Sequence, residues 1–145
     1  MPTRAATTTW NGGLQDGSGV VELTSSGVGS FDVSFPKRAA DDADGTTSPE
    51  ELVAAAHSSC FAMQFSAMLT AGGGSNPSLN VRADVTLGAD PAGGFRVSGI
   101  LLTVRGSAEG LDDAAFATIA EDAKNSCPIS KLMTGTTITL SVNPA

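Results

Sequence analysis

The stretch PEELVAAAHSSCFAMQFSAML, Pro49–Leu69, constrains this chain more than any other. It predicts one long helix with a cysteine, Cys60, at its midpoint. The start is well signalled. Ser48 is a good N-cap, Pro49 suits the first helical position, and Glu51 completes a capping box with Ser48. Glu50 and Glu51 also favour the positive end of the helix dipole. The run AGGG, Ala71–Gly74, marks the end. Between these signals the apolar residues leave little polar face, and such a helix is buried on most sides. A small sheet covers one face of a helix only. The pattern therefore predicts a second subunit over the rest, a homodimer with the Pro49–Leu69 helices near its centre.

The flanking segments predict strands and two further helices. Arg4–Trp10, Gly19–Thr24 and Ser30–Phe35 read as three strands, the last alternating at Phe31, Val33 and Phe35. The polar run PKRAADDADGTTS reads as a loop leading to the helix. Leu79–Leu87 and Phe95–Gly106 form a predicted hairpin across the turn DPAGG. Leu111–Ser126 is amphipathic, with Leu111, Ala115, Ile119 and Ala123 at helical spacing. Cys127–Met133 predicts a short helix with Pro128 at its first position, and Thr136–Val142 a closing strand. The order βββ-α-ββ-αα-β suggests an α+β fold with antiparallel sheets around a long central helix. At 145 residues the chain is expected to be a single domain, residues 1–145.

Composition narrows the partners. The net charge is −7, and the 8 Lys and Arg residues form no dense cluster, which argues against nucleic acid and anionic membrane. Only Pro49–Leu69 approaches membrane-span length, and it carries Glu50, Glu51, His57, Gln64, Ser58, Ser59 and Ser66, which argues against a bilayer. The opening MPTRAATTTW has no apolar run, so no signal peptide is expected and the predicted location is cytoplasmic. Disulfides are seldom structural there, so Cys60 and Cys127 draw attention.

Each cysteine admits two readings. Cys60 is an inert core thiol or a sheltered nucleophile. Cys127 precedes Pro128 at a helix start, where N-terminal amides can stabilise a thiolate. The two are 67 residues apart in sequence, so a redox pair is plausible without being dictated by spacing. His57 lies three residues before Cys60 and shares its helix face. It is either the base of a Cys–His dyad or, the reading we favour, a core histidine bonded to a backbone or carboxylate partner. One His and two Cys in distant segments lack zinc-site spacing, and AGGGSNP follows a helix where a phosphate loop would open one.

TSPEELVAAAHSSCFAMQFS together with AKNSCPISKLM resembles the OsmC/Ohr family, the osmotically inducible protein C and organic hydroperoxide resistance proteins. Pro-Glu-Glu-Leu opens the helix, Ala-Ala-His lies just before Cys60, Cys-Phe-x-Met-x-x-Ser follows, and Cys-Pro-x-Ser comes after the second helix. The histidine before Cys60 is similar to the OsmC branch. The element order matches along the whole chain.

The resemblance implies an intertwined homodimer and a thiol peroxidase that reduces organic hydroperoxides, with no haem, flavin or metal. It implies that Cys60 is the peroxidatic cysteine and Cys127 the resolving one, reset by an external dithiol such as one of the lipoyl type. It also implies an Arg held by a Glu to activate the thiolate. Glu50 fills the second role, since it follows Pro49 and lies ten residues before Cys60. Arg38 is the choice for the first, with adjacent Lys37 as the alternative. Ten residues at about 1.5 Å each put Glu50 about 15 Å from Cys60 along a straight helix. A crossing partner helix, bringing Glu50 of one subunit beside Cys60 of the other, would close that distance. Phe61, Met63, Phe65, Leu132 and Met133 are the candidates for an apolar substrate pocket, and Ser58 and Ser59 are expected to make the site more polar. Two rival functions remain open: a non-enzymatic module of the same fold that binds an apolar small molecule, and a cysteine hydrolase built on Cys60 and His57.

Overall fold

The structure, a computed structural model, describes residues 2–145. It is an α+β architecture with two three-stranded sheets and one long helix. Two compact units divide it, Met1–Leu52 and Val53–Ala145.

In the first unit β1 (Thr7–Asn11), β2 (Ser18–Glu22) and β3 (Ser30–Val33) form an antiparallel meander. The register sets Thr9 against Val20 and Val21 against Phe31. Along β2 only Gly19 and Val21 are buried, the alternation of a half-covered strand. The β1–β2 turn needs a residue without a side chain at Gly17, where a Cβ would meet the Gly13 carbonyl oxygen at 2.2 Å.

The third strand is shorter than its alternation predicts. It stops at Val33, and Ser34 caps a short helix, α1 (Phe35–Arg38), accepting the Lys37 N–H at 3.4 Å. Pro36 lies in that first turn, where its missing N–H costs nothing. The predicted loop at PKR is therefore a helical turn, and it fixes the direction in which Arg38 leaves the backbone.

The long helix, α2, runs Pro49–Ala71. Ser48 Oγ accepts the Glu51 N–H at 3.2 Å, as a capping box requires. The Glu51 carboxylate turns instead to the Thr47 hydroxyl at 2.5 Å, so only half of the box forms. The other end closes with Gly73 at φ 94°, its N–H on Thr70 O at 3.1 Å and Gly74 N–H on Leu69 O at 2.9 Å. That left-handed turn is why the helix stops at a glycine run. By length and composition alone α2 could cross a bilayer, a test that a core helix also passes.

In the second unit β4 (Ser75–Ala89) and β5 (Phe95–Glu109) form the long hairpin. The last strand, β6 (Ile138–Pro144), pairs with β5 in parallel, a departure from the antiparallel sheets expected. Parallel neighbours need a long crossover. Here α3 (Asp113–Ser126) and α4 (Pro128–Leu132) supply it. α3 starts two residues later than its apolar pattern suggests, because Asp112 caps it and accepts the Ala115 N–H at 2.8 Å.

Phe61, Phe65 and Leu69 of α2, Leu102 and Val104 of β5, and Phe116, Ala120 and Ala123 of α3 make the core of this unit, with Cys127 among them. The Phe65 and Phe116 rings meet edge to face with centroids 4.8 Å apart. Of the predicted Leu111–Ala115–Ile119–Ala123 stripe Ala123 is in the core, while Phe116 and Ala120, one residue beyond Ala115 and Ile119, carry the rest of the buried face. α2 has a buried face at His57, Phe61, Phe65 and Leu69 and an open face at Ala55, Ala56, Ser59, Met63 and Ala67. Within one chain it is thus covered on one side only.

Candidate active site

Two groups of side chains stand out, one in each unit. In the first, α1 ends at Arg38 and α2 begins one residue before Glu50. Arg38 Nε donates to both carboxylate oxygens of Glu50, at 3.2 and 3.1 Å, and Nη2 donates to Oε1 at 2.6 Å. This planar two-oxygen grip is one that only arginine can make. Glu50 is 9 % exposed. Burial pushes its carboxyl upward, but the Arg38 hydrogen bonds, its own peptide N–H, the Arg38 charge and the Ser48 hydroxyl outweigh burial. The net result lies below the usual carboxylate range. Glu50 in turn raises the guanidinium. Lys37 points elsewhere, to an exposed ion pair with Asp44 at 2.7 Å. Of the two candidate cations it is Arg38 that the fold joins to Glu50.

Arg38 also lines a cavity of about 460 Å³ in the same unit, together with Trp10, Leu14, Val21, Phe35 and Leu52. The wall is mostly apolar, with the Thr8 and Ser34 hydroxyls and the Arg38 guanidinium as its polar groups. None of the residues expected to line an apolar pocket takes part. Phe61 and Phe65 are fully buried core, and Met63 and Leu132 are 73 % and 75 % exposed. Met133 borders a different cavity, of about 330 Å³, with Val53, Val97, Ile100 and Thr136. No spacing in the sequence marks Trp10, Leu14 or Leu52 as pocket residues, since strand, turn and helix residues from distant stretches of the chain converge there.

In the second unit α2 brings Cys60 to the junction of α3 and α4. Both cysteines are reduced, and the Cys127 thiol donates to Cys60 Sγ at 3.3 Å. Cys127 is fully buried, whereas Cys60 is partly exposed. Cys127 ends α3, its N–H bonded to Ala123 O at 2.8 Å, and starts α4, its carbonyl accepting Lys131 N–H at 3.0 Å. Its side chain caps nothing. The amide at the α4 start serves the other thiol: Pro128 has no N–H, and the Ile129 peptide N–H points to Cys60 Sγ. The expectation that helix-end amides act on Cys127 is corrected here, since Cys60 receives the donor. Burial pushes the Cys60 thiol up, the Ile129 amide opposes it, and the neighbouring Cys127 adds to the rise.

His57 is fully buried, and its Nε2 lies 2.8 Å from Ser130 Oγ. The expected backbone or carboxylate partner is thus a hydroxyl, the serine of the Cys-Pro-x-Ser motif. Burial lowers the imidazole pKa, which favours the neutral ring. Nδ1 has no hydrogen-bond partner among the described residues. The ring's polar contact runs to Ser130, which weighs against a Cys60–His57 dyad. The hydroxyls of Ser58 and Ser59 fold back onto the Ala55 carbonyl, at 3.3 and 2.8 Å, instead of adding polarity to the site. Among the described residues no cluster of three His, Cys, Asp or Glu side chains is placed to hold a metal ion.

Residues 41–142 match the family described as OsmC-like protein. The chain is 34% identical over 124 residues, 86% of its length and 85% of the relative's, to the peroxiredoxin OsmC of Escherichia coli K12. It superposes with a TM-score of 0.78 on an organic hydroperoxide resistance protein OsmC from Legionella pneumophila, at 27% identity over 99% of this chain and 98% of that one. The organic hydroperoxide resistance protein OhrB of Bacillus subtilis gives a TM-score of 0.74 at 28% identity, covering 96% and 98% of the two chains.

Proposed function

The chain belongs to the OsmC-like protein family, and on that premise we propose that it is a thiol-dependent peroxidase. Its substrates are organic hydroperoxides and, more weakly, hydrogen peroxide. The observation that carries the proposal is the reduced Cys60–Cys127 pair, 3.3 Å apart with Cys60 the more accessible thiol. Relatives named as a peroxiredoxin and as organic hydroperoxide resistance proteins support the same reading.

Cys60 thiolate attacks the terminal oxygen of ROOH. The O–O bond breaks, the alkoxide takes up a proton and leaves as ROH, and Cys60 becomes a sulfenic acid. Cys127 then attacks the Cys60 sulfur, water leaves, and a disulfide forms. An external dithiol, of the lipoyl type, reduces the disulfide and is itself oxidised. Closing from 3.3 Å to a bond of about 2.05 Å asks for little movement.

The nucleophile must be a thiolate, and burial works against it. A cation has to offset that. Arg38, oriented by Glu50, supplies it in a homodimer where the pair of one copy serves Cys60 of the partner subunit. The ten-residue step from Glu50 to Cys60 along one helix calls for such an arrangement. The open Ala55–Met63–Ala67 face of α2 supports the dimer, because small residues let a second helix approach closely. The apolar cavity beside Arg38 holds the hydrocarbon part of the peroxide. The protein works in the cytoplasm, where its thiols stay reduced between turnovers.

That same cavity favours the second reading, a module that binds an apolar small molecule with both thiols passive. Intact mass separates the two. One equivalent of cumene hydroperoxide should remove two hydrogens from the wild type and add one oxygen at Cys60 in Cys127→Ser. Thiols that stay alkylatable after peroxide would leave the binding module as the function.

A further inference from the structure

Cys127 sits at the junction of α3 and the short α4, and α4 needs contacts outside itself to stay in place near Cys60. α4 has five residues, too few to be stable alone. Its start is fixed by polar contacts to α2. His57 Nε2 meets Ser130 Oγ at 2.8 Å, three residues after Cys127. Gln64 Nε2 donates to Ser126 Oγ at 3.2 Å, one residue before it. His57, Cys60 and Gln64 are spaced i, i+3 and i+7, so they line one face of α2. The thiol contact is the middle rung of three.

The inner of the two flanking rungs is unusual. His57 is 0 % and Ser130 9 % exposed. An apolar pair of the same volume would pack there at no polar desolvation cost. A buried polar pair adds little net stability, but it fixes one register, since any slip leaves both groups unpaired. The imidazole has no second partner to share that role, as Nδ1 is unbonded among the described residues. The register it fixes sets two things at once: the Cys127 Sγ position and the aim of the Ile129 amide at Cys60.

We propose that His57 is a positioning residue for the resolving step. Acting through Ser130, it holds α4 on α2 so that Cys127 closes on a modified Cys60 faster than competing chemistry reaches it. The biological use of this closure rests on the peroxidase reading; whether the closure occurs does not. In turnover the competitor is a second ROOH, which transfers an oxygen to the Cys60 sulfenate, gives a sulfinate and releases ROH. Loosening the His57–Ser130 rung therefore favours over-oxidation over the disulfide.

The test needs no peroxide. Dithionitrobenzoate attacked by Cys60 forms a mixed disulfide and releases one thionitrobenzoate. Cys127 then attacks the Cys60 sulfur, forms the internal disulfide and releases a second. Stopped-flow absorbance follows both phases. Ser130→Ala and His57→Leu should slow the second phase about tenfold, the worth of one ordinary hydrogen bond, and the first phase clearly less. Ser130→Thr, which keeps the hydroxyl, and His57→Gln, whose amide offers both a donor and an acceptor, should stay near the wild-type ratio of phases. A second phase unchanged in Ser130→Ala overturns the proposal, and that variant decides the matter if His57→Leu fails to fold. Equal slowing in Ser130→Thr and Ser130→Ala also overturns it, since the hydroxyl would then be irrelevant. If closure behaves as expected but wild-type Cys60 ignores peroxide, the positioning stands and the peroxidase reading falls.

Discussion

Arg38 holds Glu50 by both carboxylate oxygens, with the shortest contact 2.6 Å from Nη2 to Oε1. The carboxyl is held below its ordinary value of 4.5, so the unfolded chain takes up its proton first as pH falls. The pair's contribution to stability is thus complete above about pH 4.5 and is lost as pH drops through the lower folded value. Glu50→Gln should cost about 1–3 kcal/mol at pH 7 by leaving the guanidinium half-paired. The cost should shrink toward pH 3. Urea unfolding at pH 7, 5 and 3.5 measures both. A penalty that is the same at all three values would mean the pair adds no ionic stabilisation.

His57 titrates in a different window. Burial lowers its pKa from the ordinary 6.5, so between that value and the lower folded one only the unfolded chain binds the proton. Stability is complete above pH 6.5 and should fall on acidification, by at most about 1.4 kcal/mol per pH unit, until the lower folded value is reached. With 1 histidine in the chain the assignment is direct. His57→Gln should flatten the slope between pH 6.5 and 5. A slope that survives the substitution would place the titrating group elsewhere.

The elements were legible where short-range chemistry decides them. Pro49 and the glycine run bracket α2 because a missing N–H and a left-handed turn act locally. The β4–β5 hairpin follows from alternation across a turn. The parallel pairing of β6 was not legible, since strand direction depends on a crossover that packing selects. α1 is not legible in the sequence because four residues carry no periodicity, and Ser34 capping shows only once β3 ends. At the candidate site, the motifs point to Cys60, Cys127 and Glu50, and Arg38 follows only from its place after the third strand, with Lys37 beside it. Their geometry was hidden: which amide meets which thiol depends on how α4 leaves α3. Ser130 as the partner of His57 was hidden too, because 73 residues separate them. The apolar cavity was misassigned for the opposite reason, since aromatic residues at helical spacing near a cysteine are core more often than pocket.

A site shared between subunits makes a clear prediction. Cys60→Ser supplies Arg38 and Glu50 but no nucleophile, and Arg38→Gln supplies the nucleophile but no cation. Each homodimer should be nearly inactive. After mixing and refolding, half of the dimers are heterodimers with one intact site, so peroxide turnover should recover to about a quarter of wild type. Activity equal to the average of the two parents would mean that each chain completes its own site.

The activating cation can be identified by the pH profile of Cys60 alkylation. In a single chain the thiol is pushed upward, first by burial, with the Ile129 amide opposing. A guanidinium held beside it in the assembled protein should bring it below the usual thiol value of about 8.5. Arg38→Gln removes that charge, so the inflection should rise by about one unit or more and alkylation at pH 7 should slow about tenfold. Lys37→Gln is the matched control. It deletes an equal charge one residue away, but Lys37 pairs with Asp44 at the surface, where screening weakens it. Its profile should superimpose on wild type. Raising the salt to 1 M should also leave the wild-type inflection nearly in place, since a cation sheltered in a dimer is screened far less than an exposed one. If Lys37→Gln moves the profile and Arg38→Gln does not, the Arg38–Glu50 pair is a structural clasp, and the surface lysine is the activating charge.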